Sequence, residues 1–256
     1  MSLSALSGTG GGAAWTPQTR VPGLMVYADW TTPRFQDVNR LTAAAATNDP
    51  AYWWGPFQAQ AADSKRPLLS ATGAPSGTKR SLVWDGTNAK TMFMGGAMVA
   101  GKAFTLFAVW KATAVAASSF SGVFGRGLDA ANGTAIYVEP AGQLTGTVAT
   151  ANGASATTLT VASNFTNIWT AAALSADGTT LRLQVKGQSL QSTAFSTATT
   201  FNASDTQLWT GAVTSTGGDS NFGDAKQVAL VGFTSDVYDD TSIAAFVTNL
   251  AAYAGI

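Results

Sequence analysis

Residues Ile168–Lys186 read IWTAAALSADGTTLRLQVK. An Asp-Gly pair, Asp177-Gly178, stands between two β-rich runs. Both residues tolerate positive φ, so the pair predicts a tight hairpin joining Ile168–Ala176 to Thr179–Lys186. The outgoing run alternates. Leu181, Leu183 and Val185 point one way, and Arg182, Gln184 and Lys186 point the other, as in a strand with one buried and one wet face. Gly187-Gln188 then turns the chain into a further strand, Ser189–Phe195.

The same grammar extends in both directions. Upstream, strands are expected at Leu24–Trp30, Ser81–Asp85, Ala103–Lys111, Gly122–Arg126, Thr134–Glu139 and Gln143–Ala149. The run AFTLFAVWK at Ala103–Lys111 is apolar on both faces, which suits a central strand. Downstream, Thr206–Gly211 and Lys226–Phe233 follow. One helix is expected at the C-terminus, capped by Asp240 or Thr241. Its residues Ile243, Phe246, Val247 and Leu250 recur at helical spacing, and Gly255 ends it. Many short strands and one late helix predict an all-β sandwich or jelly roll.

Two regions carry little strand signal. Residues 1–20 are rich in Gly, Ser, Thr and Ala, and Gly8–Gly12 is flexible by composition. They read either as a free tail or as an arm that docks on a partner subunit through Leu3, Leu6 and Trp15. Pro33–Pro75 is a long stretch of irregular composition, and Arg40–Ala46 is a candidate helical turn. A stretch of this length inside a compact domain points to function or to hidden structure. No interior linker is visible, so residues 21–256 are expected to form one domain.

Composition narrows the function classes. The charged fraction is 11% and the net charge is +0, so exposed faces must be built from Ser, Thr, Asn, Gln and Gly. No basic stripe occurs, so nucleic acid is not an expected partner. The chain has no cysteine and no histidine. A disulfide framework, a Cys/His zinc site and a histidine-based triad are therefore excluded. No apolar run of membrane-spanning length is present, so no membrane partner is expected. The start, MSLSALSGTGGGAAW, lacks the basic and apolar regions of a secretory signal.

Several segments together resemble a known pattern. PGLMVYADW (Pro22–Trp30) is similar to the opening strand of laminin-G-like jelly rolls in bacteriophage structural proteins. SKRPLLSATG (Ser64–Gly73), SLVWDGTNAKTM (Ser81–Met92), AFTLFAVWK (Ala103–Lys111) and LRLQVKGQSL (Leu181–Leu190) resemble the segments that follow it there. VYDDTSIAAFVTNLAAYAGI (Val237–Ile256) resembles the closing helix. Lys186 departs from the pattern, which has Asn before the hairpin glycine. The resemblance implies a concanavalin A-like jelly-roll β-sandwich with a short C-terminal helix and an extended N-terminal arm. It also implies a virion location, on the exterior of a phage particle.

The chemistry-bearing residues are few. Glycoside hydrolysis needs two facing carboxyl groups, and the single glutamate, Glu139 in IYVEP, has no carboxylate two or four residues away. Asp236, Asp239 and Asp240 form an acidic cluster at the start of the predicted helix, where capping explains them better than calcium. Asp219 and Asp224 flank a Gly-rich loop and read as turn residues. No catalytic residue, metal site or cofactor is assigned, and the protein is read as non-enzymatic. Tyr52, Trp53, Trp54 and Phe57 form the densest aromatic cluster. It reads as a sugar-stacking platform, a subunit interface or internal packing. Trp84, Trp110, Trp169 and Trp209 are expected in the core. The expected function is assembly: a head decoration protein, head fibre or tail fibre module that contacts capsid or tail proteins and copies of itself. The alternative is a carbohydrate-binding adhesin that recognises host surface glycans.

Overall fold

The strand β8 (Phe104–Ala112) shows why its sequence is apolar throughout. Phe104, Leu106, Ala108 and Trp110 face a second sheet across the main core. Phe107 and Val109 face the opposite way, into a second apolar layer under the C-terminal helix. A strand buried on both sides has no wet face and no reason to alternate. β13 (Thr170–Ala176) repeats the design. Ala172, Leu174 and Ala176 point inward, and the small Ala171 and Ala173 lie under the helix.

The computed structural model describes residues 14–59, 66–85, 92–94, 103–113, 121–126, 134–139, 141–149, 156–194, 208–211 and 226–256. A short helix α1 (Pro17–Arg20) leads into β1 (Leu24–Ala28). The first sheet runs in the order β15 (Gln191–Ala194), β14 (Thr180–Val185), β13, β8, β17 (Lys226–Thr234), β6 (Leu82–Trp84), β5 (Leu68–Leu69). β17 pairs with β8 along its whole length, while β6 and β1 share its other edge. The second sheet runs β12 (Ala156–Val161), β11 (Leu144–Ala149), β10 (Thr134–Val138), β9 (Ser121–Arg126), β16 (Leu208–Thr210), β7 (Met92–Met94), β4 (Phe57–Ala59), β3 (Trp53–Trp54), β2 (Arg34–Phe35). The strand ladders are antiparallel. Two antiparallel sheets packed face to face make a concanavalin A-like jelly-roll sandwich, the expected fold class.

The helix α2 (Asp240–Ala254) lies on the outer face of the first sheet. Asp239, not Asp240 or Thr241, caps it: its carboxylate accepts from Ser242 N at 2.8 Å. Gly255 closes it at φ 76°, a left-handed conformation that an L side chain resists. The hairpin at Asp177-Gly178 forms, with one difference. Only Gly178 takes positive φ, at 91°. Asp177 instead uses its carboxylate to accept from the backbone of Thr179 and Thr180, at 2.8 and 2.7 Å.

The face of β14 expected to be wet is partly covered. Gln184 is 6% exposed, with its amide bonded to backbone carbonyls, and Arg182 bridges Asp177 to Asp240 at the start of α2. Arg40–Ala46 forms no helix. Asp37 accepts from the amides of Asn39, Leu41 and Thr42, which holds a compact turn in which Arg40 sits at φ 59°. The Pro33–Pro75 stretch holds β2, β3, β4 and β5, each of two or three residues and too short to show a period. β12 was not expected either.

The end of the N-terminal arm folds back on its own chain. Trp15, which the docking-arm reading placed on a partner subunit, packs its ring 6.0 Å from Phe246 and 6.2 Å from Tyr253 on α2. Leu3 and Leu6 lie outside the described residues.

Candidate ligand-binding site

The aromatic cluster divides when its strands are drawn. In β3 successive side chains alternate, so only one of two adjacent tryptophans can face the core. Trp54 does so, at 1% exposure, and its indole N–H donates to the carbonyl of Asp29 at 2.9 Å. Phe57 is wholly buried and meets Phe124 edge-on. Neither has a face left for a ligand or a partner, so for these two internal packing is the correct reading. Tyr52 is 5% exposed, under the guanidinium of Arg66 at 4.7 Å. Trp53 is half-buried. Arg40 lies 4.2 Å from its ring centroid, and its N–H donates to the carbonyl of Val38. The four residues therefore do not make a shared platform.

Two of the acidic candidates have structural roles. Asp239 and Asp240 serve the start of α2, as a cap and as a partner of Arg182. Asp219 and Asp224 lie outside the described residues. Glu139 is partly buried on the second sheet, where Oε1 accepts from the hydroxyl of Thr145. The neighbouring Tyr137 is pushed up to about 12 by burial and by the charge of Glu139, so it keeps its proton at neutral pH.

A different surface assembles the groups that a ligand needs. Alternation places Lys111 of β8, Trp169 before β13 and Lys186 after β14 on the outer face of the first sheet, where α2 lies further along. Trp169 stands one step beyond the Thr170–Trp110 pair and so lies opposite Lys111. The Lys111 ammonium is 5.6 Å from the indole centroid. On the other side, Lys186 is tied to β13 by its amide, which donates to the carbonyl of Ala171 at 2.9 Å. Trp169 is half-buried against the outer apolar layer, and Ile168 beside it is 53% exposed.

Beside this ring lies an open cleft of about 200 Å³, walled by Ser163, Asn164, Phe165 and Gln188. A second cleft, of about 340 Å³, lies next to it and is lined by Thr160, Ser189 and Gln191. Ser163 and Gln188 border both, and the hydroxyl of Ser163 donates to Gln188 Oε1 at 2.9 Å across the ridge between them. Asn164 Oδ1 accepts from the backbone of Thr166 at 2.8 Å, which fixes that wall. An aromatic face beside shallow, neutral, hydrogen-bonding walls suits a ligand with both apolar C–H faces and many hydroxyls. Trp169 was expected in the core, and its position at a strand entrance was the available signal. Trp84 and Trp110 are core residues, and the side chain of Trp209 lies outside what is described.

No family model matches this chain, and no curated protein sequence does. Solved structures do. A NanB sialidase from Streptococcus pneumoniae matches at 16% identity and a TM-score of 0.47, covering 56% of this chain and 24% of its own. The CBM40 of a Ruminococcus gnavus IT-sialidase, bound to α2,3 sialyllactose, matches at 16% identity and a TM-score of 0.49, covering 57% and 82%. The binding domain of botulinum neurotoxin serotype D matches at 8% identity and a TM-score of 0.57, covering 88% of this chain and 51% of its own. The chain thus spans about a quarter of the sialidase and half of the toxin domain. At such identities the likeness concerns architecture alone, and the toxin-domain match, which runs through nearly all of this chain, supports the jelly-roll sandwich as its fold.

Proposed function

We propose that this protein is a non-catalytic glycan-binding module. One observation carries the reading: the half-buried ring of Trp169, with Lys111 on the strand to one side and Lys186 after the strand to the other, borders a cleft walled by hydroxyl and amide side chains, and a second such cleft adjoins it. Sugar rings stack their C–H faces on indoles and satisfy their hydroxyls with amides, and a rigid sheet face keeps those groups in place. The absence of turnover is supported by the donor set. The chain has no histidine or cysteine, and its one glutamate is engaged by Thr145.

A glycan array followed by titration calorimetry tests this. The wild type should bind a subset of glycans, and Trp169→Ala should weaken that binding at least tenfold with an unchanged circular dichroism spectrum. Full retention of binding by Trp169→Ala would remove the site from consideration.

A second reading, assembly on the exterior of a phage particle, has its own observation. Val38 and Leu41 are 57% and 82% exposed on the turn that Asp37 and the Trp53 N–H hold rigid. Exposed aliphatic side chains on a fixed turn suit a protein contact. The two roles are compatible in one exterior module. Leu41→Asp should release the protein from purified particles, and unchanged stoichiometry would count against the contact.

A further inference from the structure

We infer that the ligand of the cleft beside Trp169 is an acidic glycan, its carboxylate or sulfate facing Lys186, which lines that cleft, with Lys111 over the ring adding to the positive field; this rests on the glycan-binding reading above. The inference comes from which polar groups are already spent. Among the described residues, neither lysine is joined to a carboxylate: the ion pairs belong to Arg182, which takes Asp177 and Asp240 at the other end of β14. Glu139 connects with the second cleft only indirectly. It accepts from Thr145, whose hydroxyl also meets that of Thr160.

The amide walls show the same bias. Asn164 Oδ1 is occupied by the Thr166 amide, and Gln188 Oε1 by the Ser163 hydroxyl. What each side chain has left to offer is its NH₂ group, a donor. In the cleft beside Trp169 the amides of Asn164 and Gln188 thus offer donors, and the ammonium groups of Lys186 and Lys111 add two more. A donor-rich site selects an acceptor-rich ligand, and two cations on one face of a chain with net charge +0 make a local attractor for anions. A neutral sugar would leave both ammonium groups without a counter-charge.

The test uses three matched probes: a galactose oligomer, the corresponding galacturonate oligomer and the corresponding 6-sulfated oligomer. Calorimetry is run on the full chain, on Lys111→Gln/Lys186→Gln and on Trp169→Ala, at low and at high salt. One or both acidic probes should bind at least tenfold tighter than the neutral one, and the carboxylate and sulfate arms identify the anion. The double lysine variant should bring the acidic probes down to the affinity of the neutral one and erase the salt dependence, whereas Trp169→Ala should weaken every probe. Equal binding of neutral and acidic probes, unchanged in the lysine variant, overturns the acidic assignment and leaves the glycan reading standing. No binding of any probe, with the array also blank, overturns both.

Discussion

The hydroxyl of Tyr253, in the last turn of α2, donates to Asp29 Oδ2 at 2.7 Å across a separation of 224 residues. Tyr27 donates to the same oxygen, also at 2.7 Å. The other oxygen accepts from the amides of Thr31 and Thr32 and from the Thr31 hydroxyl. Asp29 is wholly buried, and a buried carboxylate is tolerable only when saturated in this way. Burial, and after it the charge of Asp29, raises Tyr27 well above the ordinary phenol range. Burial, the Asp29 hydrogen bond and its charge raise Tyr253 likewise, so both remain donors.

This fastening of helix to opening strand gives the first prediction. Tyr253→Phe should cost about 1.5–3 kcal/mol, the usual worth of a hydrogen bond to a charged group. Asp29→Ala should cost more, because it strands two partly buried phenols and two backbone amides. Denaturant midpoints at constant m-value measure both. An unchanged midpoint for Tyr253→Phe would mean that this bond adds nothing to the anchoring of the helix.

Gly232 supplies the second. It pairs with Phe107 across β17 and β8, and a Cβ there would run into the Phe107 ring. That ring cannot swing away, because it stands edge-on to Phe246 of α2 at 5.1 Å. Gly232→Ala should therefore cost about 1–3 kcal/mol by overpacking. Adding Phe107→Leu should recover part of the loss, and additive effects in the double variant would show that the two sites are not in contact.

The aromatic cluster gives the third. Trp54→Ala should cost about 3–5 kcal/mol, as expected for a large core ring. Trp53→Ala should cost about 1 kcal/mol, since it forfeits a half-buried ring and its contact with Arg40. Similar losses from the two variants would contradict the alternation of β3.

These same residues show where sequence reading stops. The Asp177-Gly178 hairpin and the helix from Asp240 were legible because each spans several periods of its own pattern. β3 is two residues long, so nothing in YWWGPF says which ring turns inward; the partners that settle it, Phe35 and Phe57, come from pairing. The candidate site was less legible still. Its lysines, tryptophan and amides come from three separated segments, and only the adjacency of β8, β13 and β14 brings them together. Trp169 reads as core because it borders an apolar strand, yet it lies on the outer face near the edge of what α2 covers.

The final prediction concerns acid. Partial burial alone would raise the Asp177 carboxyl, but hydrogen bonds from Arg182, from the Thr179 hydroxyl and from the amides of Thr179 and Thr180 outweigh it. They hold the carboxyl well below the ordinary range. A depressed folded value means that the contribution to stability is complete above the unfolded carboxylate value, about 3.9, and is lost as pH falls toward the folded one. Asp177→Asn keeps Oδ1 as the acceptor for the turn and removes the charge together with the oxygen that accepts from Arg182. Because the pair with Arg182 is partly exposed, the variant should be less stable at neutral pH by about 1 kcal/mol or less. That gap should close progressively below about pH 4. Asp239 is also held low, chiefly by Ser242, so the absolute acid limb mixes several groups. The difference between wild type and Asp177→Asn, measured by urea unfolding from pH 7 to pH 2, isolates this one. A gap that stays constant down to pH 2 would show that the charge on Asp177 contributes nothing to the hairpin, and that its turn-capping oxygen does the holding.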